Sequence, residues 1–175
     1  MFKKISYAFV LTMLLNACAT TGSSSNPGEL TIYEVHKNDR IHVFYDRKEF
    51  KSFMKLGETT FRLTRIGAGP KGETMEFGLT KKDKKHPGKV AAINLYDGKI
   101  KAGDHFYAEM YKNGRIYVFN NFKDMATVRN FGHPNYFYLS VGAGPKGETV
   151  VYVLNSKNKK KKPVQLISQF NKRNS

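Results

Sequence analysis

Cysteine is almost missing from this chain: Cys18 is the only one in 175 residues. No disulfide can form within one molecule and no cysteine cluster can hold a metal, so the folded part must rest on its own apolar core. Acids are scarce as well, with 14 Asp and Glu against 30 Lys and Arg. General acid–base chemistry needs a positioned pair of titratable groups. The sequence offers no paired carboxylates in a plausible cleft, no nucleophile elbow and no His-Glu-x-x-His pair. These absences favour a non-catalytic protein that carries no cofactor. Long hydrophobic runs are also missing from the start of the chain. Ile5 to Leu15 spans 11 residues and is interrupted by Ser6, Tyr7 and Thr12, short of the ~20 that a bilayer-spanning helix needs.

What is there begins with a short basic start, Met1 to Lys4, ahead of that apolar run. The combination reads as an export signal. It ends in Leu15-Asn16-Ala17-Cys18, which resembles the lipobox of bacterial lipoproteins. The resemblance implies removal of residues 1–17 and lipidation of Cys18; the plainer alternative is a secretory signal with a chance cysteine. A residue other than Asp after the cysteine, here Ala19, implies in that class sorting to the outer membrane of the cell envelope. Residues 18–29 then form the lipidated cysteine and a small, polar, proline-broken tether. Loss of Lys3 and Lys4 with the leader lowers 30 basic residues to 28 against 14 acids, leaving +14. Such a charge draws acidic partners over distance: lipid headgroups, lipopolysaccharide phosphates, cell-wall polymers or extracellular DNA.

The octapeptide GAGPKGET is written twice, at Gly67–Thr74 and Gly142–Thr149, 75 positions apart. With that shift, 18 of the 46 positions from Glu34 to Leu79 are identical to Glu109–Leu154. Lys37-Asn38-Asp39-Arg40 falls over Lys112-Asn113-Gly114-Arg115, and Glu34 over Glu109. The expectation is an internal duplication, with unit one over residues 30–103 and unit two over 104–175, packed as one pseudo-symmetric domain. Asn38-Asp39 and Asn113-Gly114 mark two-residue hairpin turns. Asp46 and Asn121 are helix caps, with Glu49 as a capping-box partner for the first. Gly57 and Gly132 are helix stops. Strands should flank each octapeptide, and the apolar runs Val90–Tyr96 and Val164–Phe170 read as a fifth strand in each unit. The fold expected is α+β, a duplicated β-β-α-β-β unit with mainly antiparallel sheet.

The first six letters of the octapeptide fit a dinucleotide-binding loop, but that loop needs a helix after it. Thr74–Leu79 and Thr149–Leu154 are strand-like, so a tight glycine turn is expected instead. Lys71, Glu73, Lys146 and Glu148 recur in both copies; they either touch a ligand or pair across the loop. An enzyme site between the units would have to lie around these four. His36 and His42 flank the first hairpin turn, but the register sets them on opposite faces, so no metal pair is expected.

Two basic clusters, Lys81, Lys82, Lys84 and Lys85, and Lys159, Lys160, Lys161 and Lys162, follow the fourth strand of each unit at nearly the same offset. They are either solvated loops or one wide surface for a polyanion. No aromatic single-strand platform stands beside them, so sequence-specific nucleic-acid binding is not expected. Gly114–Phe119 leading into Phe122–Phe131 resembles the small YHS module, which also follows a hairpin with a short helix. The resemblance covers about 25 residues of each half and implies no metal function, because the cysteines that some members use are absent. The reading is therefore a lipid-anchored, non-catalytic envelope protein. It would bind an anionic or protein partner through basic loops and aromatic surface, with an apolar assembly surface as the alternative.

Overall fold

A computed structural model describes residues 29–175; the leader, Cys18 and the tether up to Gly28 lie outside them. The chain runs β1 (Thr31–Lys37), β2 (Arg40–Phe44), α1 (Arg47–Leu56), β3 (Arg62–Arg65), β4 (Thr74–Gly78) and α2 (Ala91–Tyr96). It continues with β5 (Tyr107–Lys112), β6 (Arg115–Phe119), α3 (Phe122–Phe131), β7 (Tyr136–Ser140), β8 (Thr149–Leu154) and α4 (Val164–Asn174). All the strands join one eight-stranded sheet in the order β3-β4-β2-β1-β5-β6-β8-β7. The fold is α+β, as expected.

The local signals act as read, except that the Glu49 side chain makes no capping-box bond back to Asp46 N–H among the hydrogen bonds of that cap. Asn38, Asp39, Asn113 and Gly114 all have positive φ, the backbone of a type I′ turn. The side chain of Asp46 accepts hydrogen bonds from the N–H groups of Lys48 and Glu49, and Asn121 accepts from Lys123 and Asp124. Gly57 and Gly132 close α1 and α3 at φ 82° and 89°.

The sheet is mainly antiparallel, as expected: four of the seven strand pairings are antiparallel, and β1·β5, β2·β4 and β6·β8 are parallel. The α1 and α3 crossovers put β4 beside β2 and β8 beside β6, and leave β3 and β7 on the outer edges. One expectation needs correction, that of a fifth strand in each unit. The runs Val90–Tyr96 and Val164–Phe170 are not fifth strands but fall in α2 and α4. Leu166 and Phe170 are buried at a spacing of four while Val164 and Ser168 are exposed, which is a helical period and not an alternating one.

Side chains alternate across the sheet, and helices cover both faces. On one face α1 sets Phe50 and Phe53 against Tyr33, Val35 and Phe44. Beside it α4 sets Leu166 and Phe170 against Tyr107, Ile116, Val118, Val150 and Tyr152. On the other face α2 and α3 bring Ile93, Leu95, Met125 and Val128 onto Ile41, Val43, Phe77, Met110, Phe119 and Val153. Each face is thus roofed by one helix from each half of the chain.

Strand direction also sorts the loops. β2, β4, β6 and β8 run one way, β1 and β5 the other. Both hairpin turns and both octapeptides therefore lie at one end of the sheet. The two lysine runs that follow β4 and β8 leave from the opposite end, and there also the chain enters β1 at Thr31.

Candidate functional site

The octapeptides are closed structures. Gly69 N–H donates to the Glu73 carbonyl at 2.8 Å and Gly144 N–H to the Glu148 carbonyl at 2.9 Å. Glu73 Oε2 accepts from the Lys71 backbone N–H at 2.7 Å, and Glu148 Oε2 from that of Lys146 at 2.8 Å. A Cβ on Gly69 would come within 2.6 Å of that Glu73 oxygen. The motif is thus a glycine turn whose own glutamate ties down its backbone, and strands follow it. The expected pairing of Lys71 with Glu73 across the loop is corrected: the backbone N–H makes the contact, and Lys71 has no ion pair among the described residues. No hydrogen bond links one octapeptide to the other among the described residues; Glu148 lines a small groove of ≈ 180 Å³ with His36, Lys37, Tyr111 and Lys112.

The histidines follow the expected register, His36 opposite Ile41 and Val35 opposite His42. His36 Nε2 lies 2.6 Å from Glu34 Oε1, while His42, on the opposite face, meets Phe53 of α1 at a tilt of 38° and lies 3.2 Å from Glu76 Oε2. No group of three or more metal-ligating side chains occurs among the described residues.

The lysine end is built differently. Lys81, Lys82, Lys84 and Lys85 are exposed on a turn shaped by Asp83, whose carboxylate accepts from Thr80 N–H at 3.2 Å and from the Tyr45 hydroxyl. Lys159 to Lys162 are exposed on a matching turn in which Asn158 Oδ1 accepts from Asn155 N–H at 2.7 Å. Each turn lays a lysine over an edge-strand ring. Lys84 Nζ sits 4.5 Å from the centre of Phe61, and Lys159 Nζ 4.4 Å from that of Tyr136. Lys162 lies 5.7 Å from the ring of Tyr138. A shallow groove of ≈ 510 Å³ runs beside the first cluster, lined by Phe61, Arg62, Leu79, Lys84 and Pro87. The two turns follow strands five ladder steps apart, roughly 24 Å at ~4.8 Å per step. They form two basic flanks on one end, not one continuous patch.

Sequence reasoning missed the buried polar groups. Glu34 and Glu109 have no exposed surface at all. Glu34 is held by Arg129 Nε and Nη2, both at 2.8 Å, by the Tyr96 hydroxyl at 2.5 Å and by His36. Glu109 lies on the other face and accepts from Tyr107 and Tyr111 at 2.7 Å and from Asn174 at 3.0 Å. The signal that could have found them was their coincidence under the 75-residue shift inside a strand, where an acid facing water has no reason to recur.

Burial alone would raise the Glu34 carboxyl, but the Arg129 charge and the His36 and Tyr96 hydrogen bonds overcome it and hold it down at about 2. A carboxyl whose folded value lies below its ordinary 4.5 contributes stability above that value. That contribution, about 3 kcal/mol, should disappear as pH falls from 4.5 toward 2. Urea midpoints taken across that range check it, and Glu34→Gln should flatten the profile.

Among the described residues no helix is long and apolar enough to cross a membrane. Comparison with protein-family models, with curated proteins and with solved structures gives no match.

Proposed function

We propose that this protein is a non-catalytic, lipid-anchored component of a bacterial cell envelope, held through an acylated Cys18, whose folded part bears on an anionic membrane surface. The observation that carries this reading is directional. The chain enters β1 at the end of the sheet from which both lysine runs emerge, so an anchor upstream of Thr31 would hold those lysines toward the membrane. Ten residues, Ala19 to Gly28, separate Cys18 from the first described residue, a short separation between the anchor and the folded part. β1 is central in the sheet, with one basic flank on each side of the entry point. Acyl chains alone hold firmly only in pairs or with a basic patch beside them, which is what this arrangement supplies.

We propose further that the folded part is an internal duplication. Its support is the recurrence of unlike details at the same shift: the Asp46 and Asn121 caps, the Glu73 and Glu148 loop bonds, and the Lys84–Phe61 and Lys159–Tyr136 pairs. A strand order that mirrors itself about β1·β5 fits two copies of one unit set side by side.

The test titrates the chain from Thr20 onward onto anionic vesicles, with and without lipopolysaccharide, at low and moderate salt. Binding should weaken steeply with salt, and should fall by roughly tenfold or more when Lys81, Lys82, Lys84, Lys85 and Lys159 to Lys162 become Gln. In cells, Cys18→Ser should move the protein to the soluble fraction. Salt-indifferent binding, or none, would reduce the lysines to solvated rims.

A further inference from the structure

We propose that the free edge of β7 takes up an extended segment of a partner protein in which apolar and acidic side chains alternate. This goes beyond the membrane reading and does not rest on it.

β7 is a terminal strand, paired only with β8. Its outer backbone groups are open to another strand. The residues Tyr136-Phe137-Tyr138-Leu139-Ser140 carry no charge. Phe137 and Leu139 stand opposite Val153 and Val151 on the α3 face, and are 51% and 46% exposed. Val141 continues the row at 84%, and Phe131 at the end of α3 is 71% exposed. Phe137 and Leu139 lie on the strand itself, Val141 just past its end and Phe131 at the end of α3.

The topology does not require this. Val141 and Phe131 have exposed apolar counterparts 75 residues earlier, Ile66 at 90% and Leu56 at 66%, but the counterparts of Phe137 and Leu139 are Arg62 and Thr64 on β3. There Arg62 and Arg40 reach the buried carboxylate of Glu76, Arg40 at 2.6 Å. Val151 replaces that glutamate on the β7 side. β3 has four residues and carries Arg62 and Arg65, the kind of charged, short edge that resists added strands. One edge of the sheet is guarded and the other is open and apolar.

The chemistry of the occupant follows from the second face of β7. Tyr136 and Tyr138 alternate with the apolar row, and Lys159 and Lys162 lie over their rings. A strand added to β7 places alternate side chains against Phe137 and Leu139, and the others beside these ammonium groups. Apolar residues suit the first row and Asp or Glu the second. A second copy of the chain fits poorly, because it brings another lysine run to the same margin. Strand addition of this kind takes affinity from the main chain and selectivity from alternate pockets.

The experiment uses the full chain in neutral detergent micelles and fluorescence anisotropy of a labelled, capped heptapeptide alternating Val and Glu. It should bind roughly tenfold or more tightly than a Val/Lys alternate, and than a peptide of the same composition with its valines in one block. Hydrogen exchange should slow at residues 136–140 and not at 62–65. Phe137→Lys with Leu139→Lys, both exposed positions, should abolish binding while Thr64→Lys on β3 leaves it unchanged. Equal affinity for the lysine or the blocked peptide overturns the proposal, as does protection confined to other segments. Self-association by sedimentation that the double variant abolishes also overturns it, since a second copy then occupies the edge. Vesicle binding in the double variant should be retained or strengthened by the two added lysines, so loss of peptide binding is separable from loss of membrane binding.

Discussion

Replacing Arg129 with methionine should destabilise the fold by roughly 3–5 kcal/mol, read as a fall in the urea midpoint, because it strands a buried carboxylate without its cation. Arg129 is itself buried on α3 and binds Glu34 through two nitrogens, its guanidinium lying 4.4 Å from the ring centre of Tyr96. Methionine is the residue found 75 positions earlier, at Met54, so the side chain suits a helix at that place. The charge and not the shape is what the substitution removes. Adding Glu34→Leu to Arg129→Met should recover most of the loss, since an apolar pair often matches a buried ion pair in stability. If the double variant is as unstable as the single one, the ion pair is not the source of the effect, and lost packing against Tyr96 and Phe122 is.

Phe170→Ala should cost a similar roughly 3–5 kcal/mol. Phe170 is fully buried under α4 and meets Tyr152 edge-on at 6.0 Å. Val164→Ser, two turns away on the same helix and exposed, should change stability by less than about 0.5 kcal/mol. The pair separates helix from strand directly. In a strand, positions 164 and 170 would share a face and both substitutions would be costly; in a helix only the second is. Thermal or urea unfolding of the two variants side by side gives the answer.

The same segment shows where sequence reasoning stops. Val164–Phe170 and Val90–Tyr96 are apolar runs of seven residues, and over so short a window neither period stands out. Their flanking turns gave no helix cap to tip the balance; neither α2 nor α4 has a side-chain cap at its start. Where a residue type answers a specific backbone demand, reading succeeded. Asn38-Asp39 and Asn113-Gly114 named their turns, Asp46 and Asn121 their caps, and the doubled glycines their loops, because few other residues meet those demands. The parallel seam between β1 and β5 leaves no local trace: Tyr33 meets Glu109 from 76 positions away along the chain. The buried acids were invisible for a related reason. An acid in a strand reads as a solvent-facing residue unless its partners are known, and those of Glu34 come from α2 and α3, at Tyr96 and Arg129. The lysine runs were visible as charge; their placement beside the entry to β1 follows only from strand direction.

That entry has a mechanical meaning. β1 is not an edge strand but a central one, locked to β2 over five paired positions and to β5 over five more. Tension arriving at Thr31 cannot peel it away one residue at a time, as it could peel β3 or β7. It must shear two ladders together and split the sheet through its middle, so resistance to a pull is set by the rate of that rupture and not by equilibrium stability. A pull at Thr31 would load the two central ladders at once while the outer strands stay slack.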